Sequence, residues 1–137
     1  MPQLCSSHTD RRWWQFVPSL LVFAGITYLS LIKEVPFHVK IDVPLVDKWE
    51  HMIAYLVFAL CLTGDSFRAR MSVRIIYMVG LLLPIVYGGL IELIQPFIPP
   101  RSGEWLDWAA DSIGAGIGVV LFALFHMVVN LRKRQST

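Results

Sequence analysis

The composition of this 137-residue chain excludes an ordinary soluble domain. Hydrophobic residues make up 55% of the sequence, charged residues make up 16%, and the mean hydropathy is +0.58. Soluble globular proteins usually carry about 25% charged residues. The formal charge of +2 gives no indication of a nucleic-acid partner. We therefore expect an integral membrane protein and no nucleic acid among its partners.

Four apolar runs follow one another along the chain and predict four transmembrane helices. A helix needs roughly 20 residues to cross a hydrocarbon core about 30 Å thick. The predicted spans cover residues 15–32, 48–64, 73–95 and 105–131, of which the second is short and begins with polar residues. The connections between them are too short to hold a soluble domain. The sequence thus predicts an all-α fold, an integral membrane four-helix bundle that occupies residues 1–137 as one domain.

The distribution of lysine and arginine predicts the orientation of this bundle. Short cytoplasmic loops carry an excess of these two residues. Eight of them lie in the two tails and in the loop between the second and third spans, whereas four lie on the opposite side. Both termini are therefore expected in the cytoplasm, as in a multi-pass protein of a cell's inner membrane. The opposite side would face the periplasm or the cell exterior.

Ionisable residues collect at the outward ends of the predicted spans. A charge near the hydrocarbon boundary costs on the order of a few kcal/mol unless it is paired with an opposite charge, hydrated or part of a functional site. The residues concerned are Lys48, His51, Glu92, Arg101, Asp107 and Asp111. A chain that gathers both signs of charge at one level of the membrane is expected to form an outward-facing polar pocket.

Helical spacing indicates which of these side chains can meet. Lys48, His51 and Tyr55 are three and four residues apart, which puts them on one stripe of the second span. Glu92 with Gln95, and Asp107 with Asp111, form similar stripes on the third and fourth spans. The small residues Ala110, Gly114 and Gly118 predict that the fourth span packs closely against another helix.

Spacing alone leaves more than one interpretation of the cluster open. Its carboxylates, counting Asp47, outnumber its lysine and arginine, so a protonated His51, a raised carboxyl pKa or a bound cationic group would restore the balance. Carboxylates in such surroundings often serve as acids or bases, but polar residues also join helices within a membrane. A metal site is less favoured, because metal-binding spacings are missing and Lys48 and Arg101 would repel a cation. We expect neither a metal nor another cofactor.

The polar residues also form a longer pattern. It reads Asp47-Lys48-x-x-His51-x-x-x-Tyr55, then Glu92-x-x-Gln95, then Arg101-Ser102, then Asp107-Trp108-x-x-Asp111-x-x-Gly114. This pattern resembles that of the VanZ-like family of small bacterial membrane proteins, over about three of the four predicted spans. The family often has Asn where this chain has Asp111. The resemblance implies a cell-envelope protein, and the namesake's role implies antibiotic resistance, at a low level and against the glycopeptide teicoplanin.

The resulting hypothesis is a pocket that binds an amphiphilic envelope molecule, such as a lipid-linked glycan or an acylated glycopeptide. Lys48 and Arg101 would hold an anionic head group. If a reaction takes place, which stays open, Glu92 or Asp107 would be the acid or base and His51 its partner. The other residues predicted to contact the ligand are Gln95, Tyr55, Asp47 and Asp111.

The alternative is a non-catalytic membrane protein. In that case the cluster joins the helices, and the function lies in contacts with an envelope partner. A small transporter is disfavoured, because a single four-helix unit has no second repeat to move against unless it forms a homo-oligomer.

Overall fold

The computed structural model describes residues 13–31, 46–98 and 103–135, and nearly all of these residues are helical. Within these ranges four α-helices follow one another: α1 (Val17–Leu31), α2 (Val46–Arg68), α3 (Val73–Ile94) and α4 (Trp105–Gln135). Short 3-10 helices, Trp13–Phe16 and Gln95–Phe97, precede α1 and follow α3. The all-α prediction is confirmed, and the helices agree with the predicted spans to within a turn or so at each end.

In the described part of the chain, three helical segments are long and apolar enough to cross a membrane, namely Trp13–Leu31, Val73–Phe97 and Trp105–Gln135. Large apolar side chains cover their outer surfaces: Leu21, Val86 and Phe125 are 69%, 61% and 70% exposed. Soluble monomers rarely expose contiguous apolar patches of more than a few hundred Å². These three helices therefore indicate a membrane protein.

The remaining helix, α2, contacts each of the other three and is more polar than they are. Charged residues occupy both its first and its last turn and lower its mean hydropathy, so α2 is not among the three apolar segments named above. It nevertheless carries the largest group of buried side chains, among them Tyr55, Phe58 and Leu62. Its buried polar residues Thr63, Asp65 and Ser66 lie among the other helices, where polar residues of membrane helices usually lie. The composition of α2 thus follows from its central position.

Two glycines allow the backbones of α2 and α4 to approach each other closely. A Cβ atom added to Gly114 would collide with the backbone carbonyl of Met52, and one added to Gly118 would lie 2.6 Å from the carbonyl oxygen of Leu56. The small-residue stripe predicted from the sequence is therefore the contact between these two helices. Because Asp111 lies one turn before Gly114, the close packing also brings its carboxylate next to α2.

A buried carboxylate joins α1 to the far end of α2. Asp65 is fully buried, and its Oδ2 accepts a hydrogen bond of 3.0 Å from the backbone N–H of Ser19 in the first turn of α1. Arg68 pairs with the other oxygen of Asp65. Amides in the first turn of a helix lack an acceptor within the helix and favour a nearby negative charge. Asp65 thus caps α1 from a neighbouring helix.

Candidate functional site

The start of α2, the end of α3 and the start of α4 meet at one end of the protein. Side chains from all three helices are in contact there, and five of the six ionisable residues singled out in the sequence converge: Lys48, His51, Glu92, Asp107 and Asp111. The sixth, Arg101, lies outside the described residues together with Ser102. The converging residues form two sets. The ion-pair network consists of Lys48 with Asp47, Glu104 and Asp107, and the inner group consists of His51, Tyr55, Glu92 and Asp111.

The ion-pair network is centred on Lys48. Its Nζ contacts the nearly buried carboxylate of Asp107, donates a 2.7 Å hydrogen bond to Glu104 and lies 3.8 Å from Asp47. The Lys48 ammonium holds the pKa of the Glu104 carboxyl below its ordinary value. This stabilising contact is present at neutral pH and is lost as the pH falls through the lowered pKa of Glu104. The ammonium group of Lys48 is therefore surrounded by the carboxylates of Asp47, Glu104 and Asp107.

The inner group begins with a histidine and an aspartate on facing helices. His51 Nδ1 lies 3.0 Å from Asp111 Oδ1, and the Asp111 side chain is completely buried. One turn along α2 from His51, Tyr55 is 1% exposed. A carboxylate that contacts one ring nitrogen fixes the orientation of the imidazole, as in many acid/base and metal sites.

Glu92 completes the inner group from the last turn of α3. Its Oε2 accepts a 2.8 Å hydrogen bond from the backbone N–H of Glu104, which holds the segment before α4 against α3. Gly103 makes this approach possible, because a Cβ atom there would collide with the backbone carbonyl of Glu92. Only 9% of Glu92 is exposed.

Three oxygen atoms of the inner group are buried and have no hydrogen-bond partner among the described residues. They are Tyr55 Oη, Glu92 Oε1 and Asp111 Oδ2. A buried polar atom without a partner costs about 1–3 kcal/mol, and more when it is charged. The inner group therefore presents two carboxylate oxygens that require a donor or a cation and one hydroxyl group that requires a hydrogen-bond partner.

A glycine on α3 leaves room beside these atoms. A Cβ atom at Gly88 would lie 2.7 Å from Asp111 Oδ2 and 3.2 Å from Tyr55 Cε1. Any larger residue at this position would press on the inner group. The absence of a side chain at Gly88 thus preserves the space around one of the three unpartnered oxygens, Asp111 Oδ2, and beside the ring of Tyr55.

The remaining predicted site residues lie at the margins of the cluster. Asp47 has a largely exposed side chain at the start of α2, and Gln95 is buried at the start of the short 3-10 helix that follows α3. The structure pairs His51 with Asp111, whereas Asp107 is paired with Lys48. Sequence reasoning did not include Glu104. Its spacing of three residues before Asp107 and seven before Asp111 is the helical pattern that could have identified it.

Comparisons of the chain with protein-family models, with curated proteins and with solved structures give no match.

Proposed function

We propose that this chain is a VanZ-like inner-membrane protein with four spans, with both termini in the cytoplasm and with the polar site on the outward side. The residue pattern from Asp47 to Gly114 supports the family, and the eight-to-four distribution of lysine and arginine supports the orientation. Three segments satisfy the requirements of a span, and α2, with 23 residues, extends roughly 34 Å. This length suffices for α2 to cross the membrane as well, which brings the number of spans to four.

The site would bind the head group of an amphiphilic envelope molecule, such as a lipid-linked glycan or an acylated glycopeptide. The observation that carries this proposal is the set of unpartnered buried oxygens on Tyr55, Glu92 and Asp111. A cluster that served only to join helices would be expected to satisfy its own buried acceptors. Hydroxyl or amino groups of a head group would supply the missing donors, and Arg101 would supply a positive charge for an anionic group. The acyl chain would lie along the apolar outer surface, for example beside the exposed Leu93.

The ion-pair network supports the alternative function for part of the cluster. Lys48 is compensated by carboxylates from its own helix, from α4 and from the segment before α4. This arrangement joins helices in the way that polar groups often do in membrane proteins. The network and the inner group therefore have different roles in our proposal: the first holds the helix ends together, and the second binds the ligand.

The orientation predicts a simple labelling result. In a variant whose native cysteines are replaced (Cys5→Ser and Cys61→Ser), a membrane-impermeant thiol reagent should label Glu50→Cys in intact spheroplasts. The same reagent should label Ser136→Cys only after the membrane is opened, because the basic C-terminal segment is cytoplasmic. Labelling of Ser136→Cys in intact spheroplasts would overturn the proposed orientation.

The binding function predicts that a specific amphiphile co-purifies with the protein. Mass spectrometry of small molecules extracted from the purified wild type should reveal an acylated molecule that is depleted in the Glu92→Gln variant. Glutamine retains the shape of the Glu92 side chain but removes its negative charge. Glu50→Gln is the matched control, because Glu50 is an exposed carboxylate on α2 outside the inner group. An identical set of molecules from wild type and Glu92→Gln would contradict the proposal.

A further inference from the structure

Three residues of the inner group are arranged as a set of metal ligands. His51, Glu92 and Asp111 each offer one ligand atom, and these atoms all lie within 4.8 Å of one another. They come from α2, α3 and α4, so that no motif within a single helix reveals them. Imidazole nitrogens and carboxylate oxygens are both ligands that Zn²⁺ accepts in proteins.

The unpartnered oxygens are a second and independent observation at the same place. Asp111 Oδ2 and Glu92 Oε1 belong to residues of the ligand set, and Tyr55 Oη belongs to a residue outside it. Asp111 is completely buried, Tyr55 is 1% exposed and Glu92 is 9% exposed. A cation would satisfy the two carboxylate oxygens directly, and the Tyr55 hydroxyl could donate to a water molecule bound to that cation.

The charges of the described residues also favour a cation. Among the described residues, Lys48 would oppose one, but Asp47, Glu104 and Asp107 already surround it. The carboxylates of Glu92 and Asp111 are left without a lysine or arginine partner among the described residues. A divalent ion would neutralise these two charges.

A second group of residues has similar spacing and is less suited to a metal. Asp47, His51 and Asp107 also offer ligand atoms within 4.8 Å of one another. However, Asp107 is paired with Lys48, and the side chain of Asp47 is 65% exposed. A metal ion there would have to displace an ammonium group from its carboxylate.

We propose that His51, Glu92 and Asp111 bind a divalent first-row transition metal ion, for which Zn²⁺ is the appropriate probe. An imidazole ligand favours such ions over Mg²⁺ and Ca²⁺, which prefer sites made entirely of oxygen ligands. Three protein ligands leave a coordination position open for another molecule. This inference goes beyond the proposed binding of an envelope molecule and can be tested without it. With both bound, the head group would take the open coordination position of the metal instead of donating directly to Glu92 and Asp111.

Metal binding can be measured on the purified protein without any envelope ligand. The full chain is produced with an affinity tag that contains no histidine, stripped with a chelator and titrated with Zn²⁺ by calorimetry in detergent. We expect about one Zn²⁺ per chain, with an increase in the melting temperature because the ion binds only the folded protein. Mg²⁺ and Ca²⁺ at the same concentrations should bind much more weakly.

Matched variants identify the ligands. Glu92→Gln and Asp111→Asn should each lower the affinity for Zn²⁺ at least about tenfold, since even residues that only orient ligands have effects of this size. Asp47→Asn should retain the affinity, because it alters only the second group. His126→Gln should also retain it, because His126 lies on α4 beside Asn130, well away from the inner group.

Cobalt spectroscopy tests the site in the wild type, so the result does not depend on the folding of any variant. Co²⁺ added to the stripped protein should give visible absorption bands of a low-coordinate nitrogen and oxygen site, and Zn²⁺ should abolish them. The spectrum of hydrated Co²⁺ alone would overturn the proposal. Zn²⁺ affinity unchanged in both Glu92→Gln and Asp111→Asn would overturn it as well. The absence of any co-purifying amphiphile from the wild type, with intact Zn²⁺ binding, would instead contradict only the proposed function.

Discussion

Replacing Lys48 with methionine is expected to lower the free energy of unfolding by about 3 kcal/mol, since the loss of one partner leaves a buried charge uncompensated. The charge concerned is the carboxylate of Asp107, a residue that is 4% exposed. Methionine keeps a long, flexible side chain and removes only the ammonium group. The loss of stability can be measured by denaturant titration in mild detergent, with the fluorescence of the five tryptophans as the signal.

A double variant separates the ion pair from other effects of the substitution. Lys48→Met combined with Asp107→Leu should recover most of the lost stability, because no buried charge is then left unpaired: the other carboxylates beside Lys48, those of Glu104 and Asp47, are more than half exposed. Asp47→Asn should have little effect, because the Asp47 side chain is 65% exposed and 3.8 Å from Lys48. If Lys48→Met were as stable as the wild type but had lost its bound amphiphile, Lys48 would be a ligand-binding residue rather than a link between helices.

Gly114→Val should prevent α2 and α4 from packing and so abolish the folded protein. Even one Cβ atom at Gly114 would collide with the backbone carbonyl of Met52, which cannot move without displacing α2. Overpacking a core costs about 1–3 kcal/mol, and a collision with backbone lies at or above the upper end of this range. Size-exclusion chromatography after detergent extraction would measure the loss as aggregated or missing protein.

Gly116 is the matched control on the same helix. A Cβ atom at Gly116 would meet nothing within 4 Å, so Gly116→Val should fold normally. The two substitutions add the same side chain at positions two residues apart. They differ in that Gly114 faces the backbone of α2, whereas Gly116 faces open space. Equal stability of the two variants would show that the contact between α2 and α4 is not as close as described.

The helices could be predicted from the sequence because a long apolar run is typical of a helix that crosses a membrane. The prediction for α2 was the least accurate: residues 48–64 were expected, whereas the helix covers Val46–Arg68. The apolar run ends at Gly64 because Asp65 is charged, but Asp65 is compensated by the amide of Ser19, 46 residues away in the chain. The contact with Ser19 leaves no local pattern, whereas the pairing of Asp65 with Arg68, three residues later, is a local pattern that could have extended the prediction.

The convergence of charged residues could also be predicted, but their pairing could not. Spacing put Lys48 and His51 on one stripe of α2, and Asp107 and Asp111 on one stripe of α4. Which base meets which acid depends on the relative shift of the two helices, and this shift is set by the contacts of Gly114 and Gly118 with α2. The structure pairs Lys48 with Asp107 and His51 with Asp111 Oδ1, which leaves Glu92 Oε1 and Asp111 Oδ2 without a partner among the described residues.

The melting temperature of ligand-free Glu92→Gln in detergent tests most directly whether the inner group is a binding site rather than a link between helices. The substituted glutamine would still accept the hydrogen bond from the Glu104 amide, and the substitution would remove a buried charge whose other oxygen has no partner among the described residues. We therefore predict a melting temperature equal to or above that of the wild type, together with loss of the bound ligand. A melting temperature several degrees below that of the wild type, with ligand lost only in proportion to unfolded protein, would contradict this account.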